Sequence, residues 1–136
     1  MVTQKSVNDI AYKILSCAIE VNKIVGAGLL ESVYQACFVQ EMNLQGLKVI
    51  QQAEIPIIYK GVELMHSLRL DILVENLIIV ELKAVDVMLP IFQAQLLTYL
   101  KLSQKPKGLL INFNTTNIVA STVPLVTDVF AALPKT

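Results

Sequence analysis

Between residues 7 and 25 the apolar side chains Val7, Ile10, Ala11, Ile14, Cys17, Ala18, Val21 and Val25 recur at the spacing of one helical face. Ser6, followed by Asp9, supplies an N-terminal cap, and Gly26 and Gly28 stop the helix. A second helix is expected over 30–44, with Leu30, Val33, Tyr34, Cys37 and Phe38 inward and Gly46 as its stop. From Lys48 the helical period disappears. Residues 49–50, 55–59 and 62–64 read as short strands, with a turn at Lys60-Gly61. Residues 68–74 and 77–84 read as a second hairpin around Glu75-Asn76. Pro90 opens a helix that runs to about residue 102, because its missing N–H costs least in a first turn. Residues 108–113 make a strong strand and 118–123 another, and 124–133 form a short helix or a loop packed on the core. The order helix, helix, strands, helix, strand, strand predicts an α/β domain, a mixed sheet with helices on its faces, spanning residues 1–136 as one unit.

Composition sharpens this picture. Hydrophobic residues make up 54% of the chain and charged ones 16%, more apolar and less charged than a domain of this size needs for its own core. The surplus predicts a subunit interface, with a homodimer as the expected assembly. Eleven basic and eleven acidic side chains cancel, which argues against a high-affinity, non-specific coat for nucleic acid. A local basic rim remains open, with Lys101, Lys105 and Lys107 close in sequence. The N-terminus lacks the apolar core of a signal peptide, and no run approaches the roughly 18 apolar residues of a membrane span. A cytoplasmic protein with no membrane partner is expected, with Cys17 and Cys37 as reduced, small core hydrophobes. His66 is the one histidine, and nothing local pairs it with either thiol.

The candidate chemistry lies in the run LIIVELKAV, where Glu81 and Lys83 interrupt an apolar strand. Residues two apart on a strand share a face, so both point one way while Val80 and Leu82 point into the other layer. The preceding strand carries Asp71 among apolar neighbours. A two-residue loop at Glu75-Asn76 would set Asp71 against Val80; a three-residue loop or a bulge sets it against Glu81, and this second register is the one expected. Two carboxylates about 5 Å apart repel by roughly 3 kcal/mol at an effective dielectric near 20. A divalent cation, a shared proton or Lys83 must offset that. Carboxylate oxygens suit Mg²⁺ or Mn²⁺, and a bound water could then attack phosphorus with Lys83 orienting it or steadying developing charge. The competing reading is a solvated Glu81–Lys83 pair on an exposed strand face. Gln95 and Tyr99, four apart on the helix after this strand, share a face, and Glu31 and Tyr34 lie three apart near the start of the second helix. Each has an ordinary structural explanation alone; their joint presence beside Asp71, Glu81 and Lys83 favours a site.

In these blocks the chain resembles the GxxExxY proteins, a PD-(D/E)XK-like family. The resemblance rests on Gly28-Leu29-Leu30-Glu31-Ser32-Val33-Tyr34, Ala18-Ile19-Glu20-Val21, Arg69-x-Asp71, Val80-Glu81-Leu82-Lys83-Ala84, Gln95-Leu96-Leu97-Thr98-Tyr99-Leu100 and Gly108-Leu109-Leu110-Ile111-Asn112-Phe113. It implies a restriction-endonuclease-like mixed sheet flanked by helices. It further implies Asp71, Glu81, the Leu82 carbonyl and Glu31 as metal ligands, Lys83 as the catalytic lysine, and Gln95, Tyr99, Arg69 and Tyr34 on the substrate side. The implied activity is Mg²⁺- or Mn²⁺-dependent hydrolysis of phosphodiester bonds in DNA. The rivals are a non-catalytic binding or scaffold module on the same fold and a resolvase-like dimer on branched DNA. The chain departs from the family at Asn22, where a histidine is frequent, and at Thr115-Thr116-Asn117, where many members are basic.

Overall fold

A computed structural model describes residues 1–136. Helix α1 (Gln4–Val25) begins a turn earlier than Ser6 predicts. Thr3 is the cap: its hydroxyl accepts from the Ser6 amide at 3.0 Å, and the Ser6 hydroxyl accepts from the Thr3 amide at 2.8 Å. Asp9 instead pairs with Lys5 on the exposed face. Helix α2 (Glu31–Leu44) buries Tyr34, Phe38 and Met42, one residue per turn; Leu30 and Val33, expected inward, are exposed.

Strand β1 (Val49–Tyr59) and strand β2 (Val62–Val74) form one long hairpin in place of the short strands read from sequence. Lys60 and Gly61 turn it with φ of 50° and 82°, the left-handed pair that suits a tight two-residue hairpin. Strand β3 (Ile78–Lys83) follows, helix α3 (Pro90–Ser103) crosses over, and strand β4 (Lys107–Asn112) lies parallel to β3. Strand β5 (Thr122–Val126) closes the sheet and helix α4 (Asp128–Ala131) ends the chain. Residues 118–121 turn rather than extend, with buried Ile118 plugging the core, so the last strand starts later than expected. The sheet order is β1-β2-β3-β4-β5, mixed as expected. Both edge strands carry a proline, Pro56 and Pro124, which interrupts the open row of donors that would recruit another strand.

Two cores sandwich the sheet. One packs α1 and α2 on Ile72, Val74, Ile78, Val80, Leu82, Leu109 and Ile111, with Phe113 stacked 5.3 Å from Tyr34 and tilted 5.2 Å from Phe38. The smaller one packs Leu96 and Leu100 of α3 on Leu70, Leu73, Ile79 and Leu110. Gly108 makes that second contact possible: a Cβ there would sit 2.9 Å from Leu100 Cδ1 and 3.1 Å from Leu96 Cδ1. Both leucines are fully buried and cannot swing away. Gly108→Ala is therefore expected to destabilise by about 1–2 kcal/mol, read as a lowered urea midpoint; an unchanged midpoint would show that α3 floats more freely than this packing allows.

Candidate active site

Strand β3 sorts its side chains cleanly. Val80 and Leu82 enter the core beneath α1 and α2, Ile79 enters the core beneath α3, and Glu81 and Lys83 continue along the Ile79 face. The β2–β3 loop has three residues, since Val74 pairs with Ile78, and the ladder runs through Leu73↔Ile79 to Ile72↔Val80. One step further in this register sets Asp71 opposite Glu81. There the backbone ladder ends and a side chain takes over: the Leu82 amide donates to Asp71 Oδ2 at 3.3 Å. The neighbouring strand is distorted at the same level, where Gln52 adopts φ 54° between the Gln51↔Ile72 and Ala53↔Leu70 pairs. The in-and-out alternation of β2 also slips here, since Leu70 and Leu73 pack in one core. The sheet thus bends where Asp71 leans towards β3.

The electrostatics follow from that arrangement. Glu81 is only 5% exposed, and its Oε1 has no hydrogen-bond partner in the protein. Burial pushes its carboxyl up to about 9, the adjacent Asp71 adds to the rise through a hydrogen bond and its charge, and Lys83 opposes it. With protein groups alone, a proton on Glu81 relieves the repulsion between the two acids at neutral pH. Glu31, in the first turn of α2, reaches the same end of the sheet: partial burial raises its carboxyl, against the pull of Lys83 and with Asp71 adding to the rise. The Lys83 ammonium lies 4.5 Å from the centre of the Phe92 ring on α3, a cation–π contact that holds it without an acid clamp.

The other predicted residues divide. Gln95 donates to the Tyr99 hydroxyl at 3.0 Å on the exposed side of α3, one and two turns beyond Phe92, so this pair extends the stripe that starts over Lys83. Tyr34 is not on the substrate side. It is fully buried, and its hydroxyl donates to the Gly26 carbonyl at 2.7 Å and accepts from the Leu29 amide at 3.1 Å, fixing the loop that delivers Glu31. Tyr34→Phe strands both loop groups and is expected to cost about 1–2 kcal/mol in chemical denaturation; a neutral result would mean the loop holds its shape unaided. Arg69 is exposed and directed at Glu54 across the ladder, 3.3 Å away, not at the acids. Lys107 pairs with Ile78 and Asn112 with Lys83, so Lys107 lies five residues, roughly 17 Å, from the acidic end. Lys105 and Lys107 are partly desolvated and bonded to Asn76 and Asn8.

Sequence reasoning missed two contributors. Phe92 could have been found, since it lies three residues before Gln95 on the same helical face. Asn112, buried beside Lys83, bonds both backbone groups of Val85: its Oδ1 accepts from the amide at 3.1 Å and its Nδ2 donates to the carbonyl at 2.9 Å. It thereby continues the β3–β4 ladder past Lys83 with a side chain, and an asparagine at a strand end gives no such sign in sequence. Asn22, at the family departure, is also structural, donating to the Thr115 carbonyl at 2.8 Å.

A cation is tested by the donors present. No three acidic, histidine or cysteine side chains converge tightly enough to hold a metal by themselves. Two adjacent carboxylates, one with a buried oxygen that nothing else uses, do fit an ion that retains much of its water, as Mg²⁺ does. The cluster lines none of the surface cavities.

A mixed five-stranded sheet flanked by helices, with an acid on one strand and Glu-x-Lys on the next, defines a restriction-endonuclease-like protein. The family model of the PD-(D/E)XK nuclease superfamily matches residues 8–123, and the chain belongs to that superfamily, whose members commonly use divalent metals. No curated protein and no solved structure matches the chain. No helix is long and apolar enough to cross a membrane.

Proposed function

We propose that the chain is a Mg²⁺- or Mn²⁺-dependent nuclease of the GxxExxY group that hydrolyses phosphodiester bonds in DNA. The observation that carries this reading is the buried, partnerless Glu81 oxygen lying against Asp71 and beside Lys83. Asp71, Glu81 and the Leu82 carbonyl would hold the cation, with Glu31 at its outer edge. When bound, it would supply an acidified water and neutralise charge on the phosphate. Glu81 would have to give up its proton to serve as a ligand. Lys83, steadied by Phe92, orients the attacking water and meets the charge that develops on the phosphate oxygens. Gln95 and Tyr99, bonded to each other on the outer side of α3, would contact the substrate strand.

Incubating the protein with labelled single-stranded, double-stranded and branched DNA in Mn²⁺ tests this. Cleavage that EDTA stops is expected, and its absence on every substrate would contradict the nuclease reading; cleavage confined to the branched form would favour a resolvase-like enzyme. A scaffold reading draws on one observation, the near-complete burial of Glu81, and predicts no rise in melting temperature with Mn²⁺. We read the protein as a cytoplasmic homodimer, since Cys17 and Cys37 are free and the outer β1–β2 hairpin exposes Ile58, Tyr59, Val62, Leu64 and Met65.

A further inference from the structure

We propose that Asn114 is a positioning residue that sets Glu31 against the Asp71–Glu81–Lys83 cluster. This rests on the metal-site reading above. The start of α2 has no side-chain cap, so the helix end does not itself fix Glu31, its first residue. Two groups outside the helix terminus do so. Tyr34 closes the loop on itself through Gly26 and Leu29. Asn114 attaches that loop to the rest of the site: its Oδ1 accepts from the Gly28 amide at 3.1 Å, three residues before Glu31. The same amide group donates through Nδ2 to Asp86 Oδ1 at 3.0 Å and to the Val85 carbonyl at 3.4 Å, just after Lys83.

Asn114 is the one side chain hydrogen-bonded to both loops. It is itself held, because its backbone amide donates to Asn112 Oδ1 at 3.2 Å, and Asn112 grips Val85 at both backbone groups. The Phe113 amide donates to the Lys83 carbonyl at 2.8 Å, so the exit of β4 is registered directly on the lysine's own backbone. The separation between Glu31 and Lys83 is therefore set through one short segment, 112–114, with Asn114 as its outer link.

The test is a cycle of Asn114→Ala, Glu31→Gln and the double variant, read by Mn²⁺ affinity from the paramagnetic resonance of free Mn²⁺. Each single change is expected to weaken binding by about tenfold, and the double variant no more than the weaker single one. Asn114→Asp keeps the acceptor for Gly28 but has no donor for the Val85 carbonyl and sets a second carboxylate against Asp86, so the link is cut and binding should weaken about tenfold, as in the alanine variant. Effects that multiply in the double variant, or an aspartate variant that binds as the parent does, would overturn the proposal. If the parent binds no Mn²⁺, the metal reading fails by itself. The positioning claim is then decided by hydrogen exchange, which Asn114→Ala should accelerate at Gly28 and Leu29 while the α1 core amides stay protected; unchanged exchange there overturns it.

Discussion

Glu81→Gln is expected to abolish both nuclease activity and stabilisation by Mn²⁺, and yet to raise the melting temperature of EDTA-treated protein above neutral pH. The reason is the sign of the linkage. Glu81 titrates near 9 in the folded chain against an ordinary value of 4.5. Between these values the folded protein keeps a proton that the unfolded chain has lost, so stability is greatest at the acid end of the window and declines as pH rises towards 9. Glutamine presents nearly the shape of the neutral acid and has nothing to lose, so this decline should flatten. In the parent, Mn²⁺ has to displace the proton, and its apparent affinity should rise about tenfold per pH unit from 6 to 8. Calorimetric titration at three pH values, with and without the substitution, reads all of this. A parent affinity independent of pH, or a glutamine variant that still responds to Mn²⁺, would count against the assignment of Glu81.

Lys83→Ala separates catalysis from metal binding. The lysine sits on the same strand face as Glu81 but is held by the Phe92 ring rather than by a carboxylate. Removing it takes away charge stabilisation in the transition state, and kcat should fall by about 10²–10³. Mn²⁺ affinity should hold or improve, because a positive charge has left the neighbourhood of the cation. Single-turnover cleavage alongside Mn²⁺ titration makes the distinction. A variant that loses metal affinity and activity together would mean that Lys83 organises the acids rather than acting on substrate.

The helical order and the register at the site were legible because burial leaves few alternatives. A strand with apolar residues on both sides of Glu81 and Lys83 must send those two one way, and the acid of the preceding strand can face them across a three-residue loop or a bulge, of which the three-residue loop is the one present. The long hairpin was less legible: the run Gln51-Gln52-Ala53-Glu54 has no apolar alternation, because β1 is an edge strand open to water on much of its surface. Tyr34 shows a different limit. A tyrosine near a helix start can serve a substrate or a loop, and here the position of the Gly26 carbonyl decides, which only the folded chain reveals. Asn112 falls within the strand read over 108–113 and nothing in the sequence marks Asn114; their bonds reach residues 27 to 86 positions away.

Crystals soaked in Mn²⁺ at pH 8 and measured at the manganese edge test the central arrangement most directly. An anomalous peak is expected between the Asp71 and Glu81 carboxylates, beside the Leu82 carbonyl and within reach of Lys83. Fully occupied soaks with no peak there, or a peak only at other surface acids, would contradict a metal-dependent centre on this sheet.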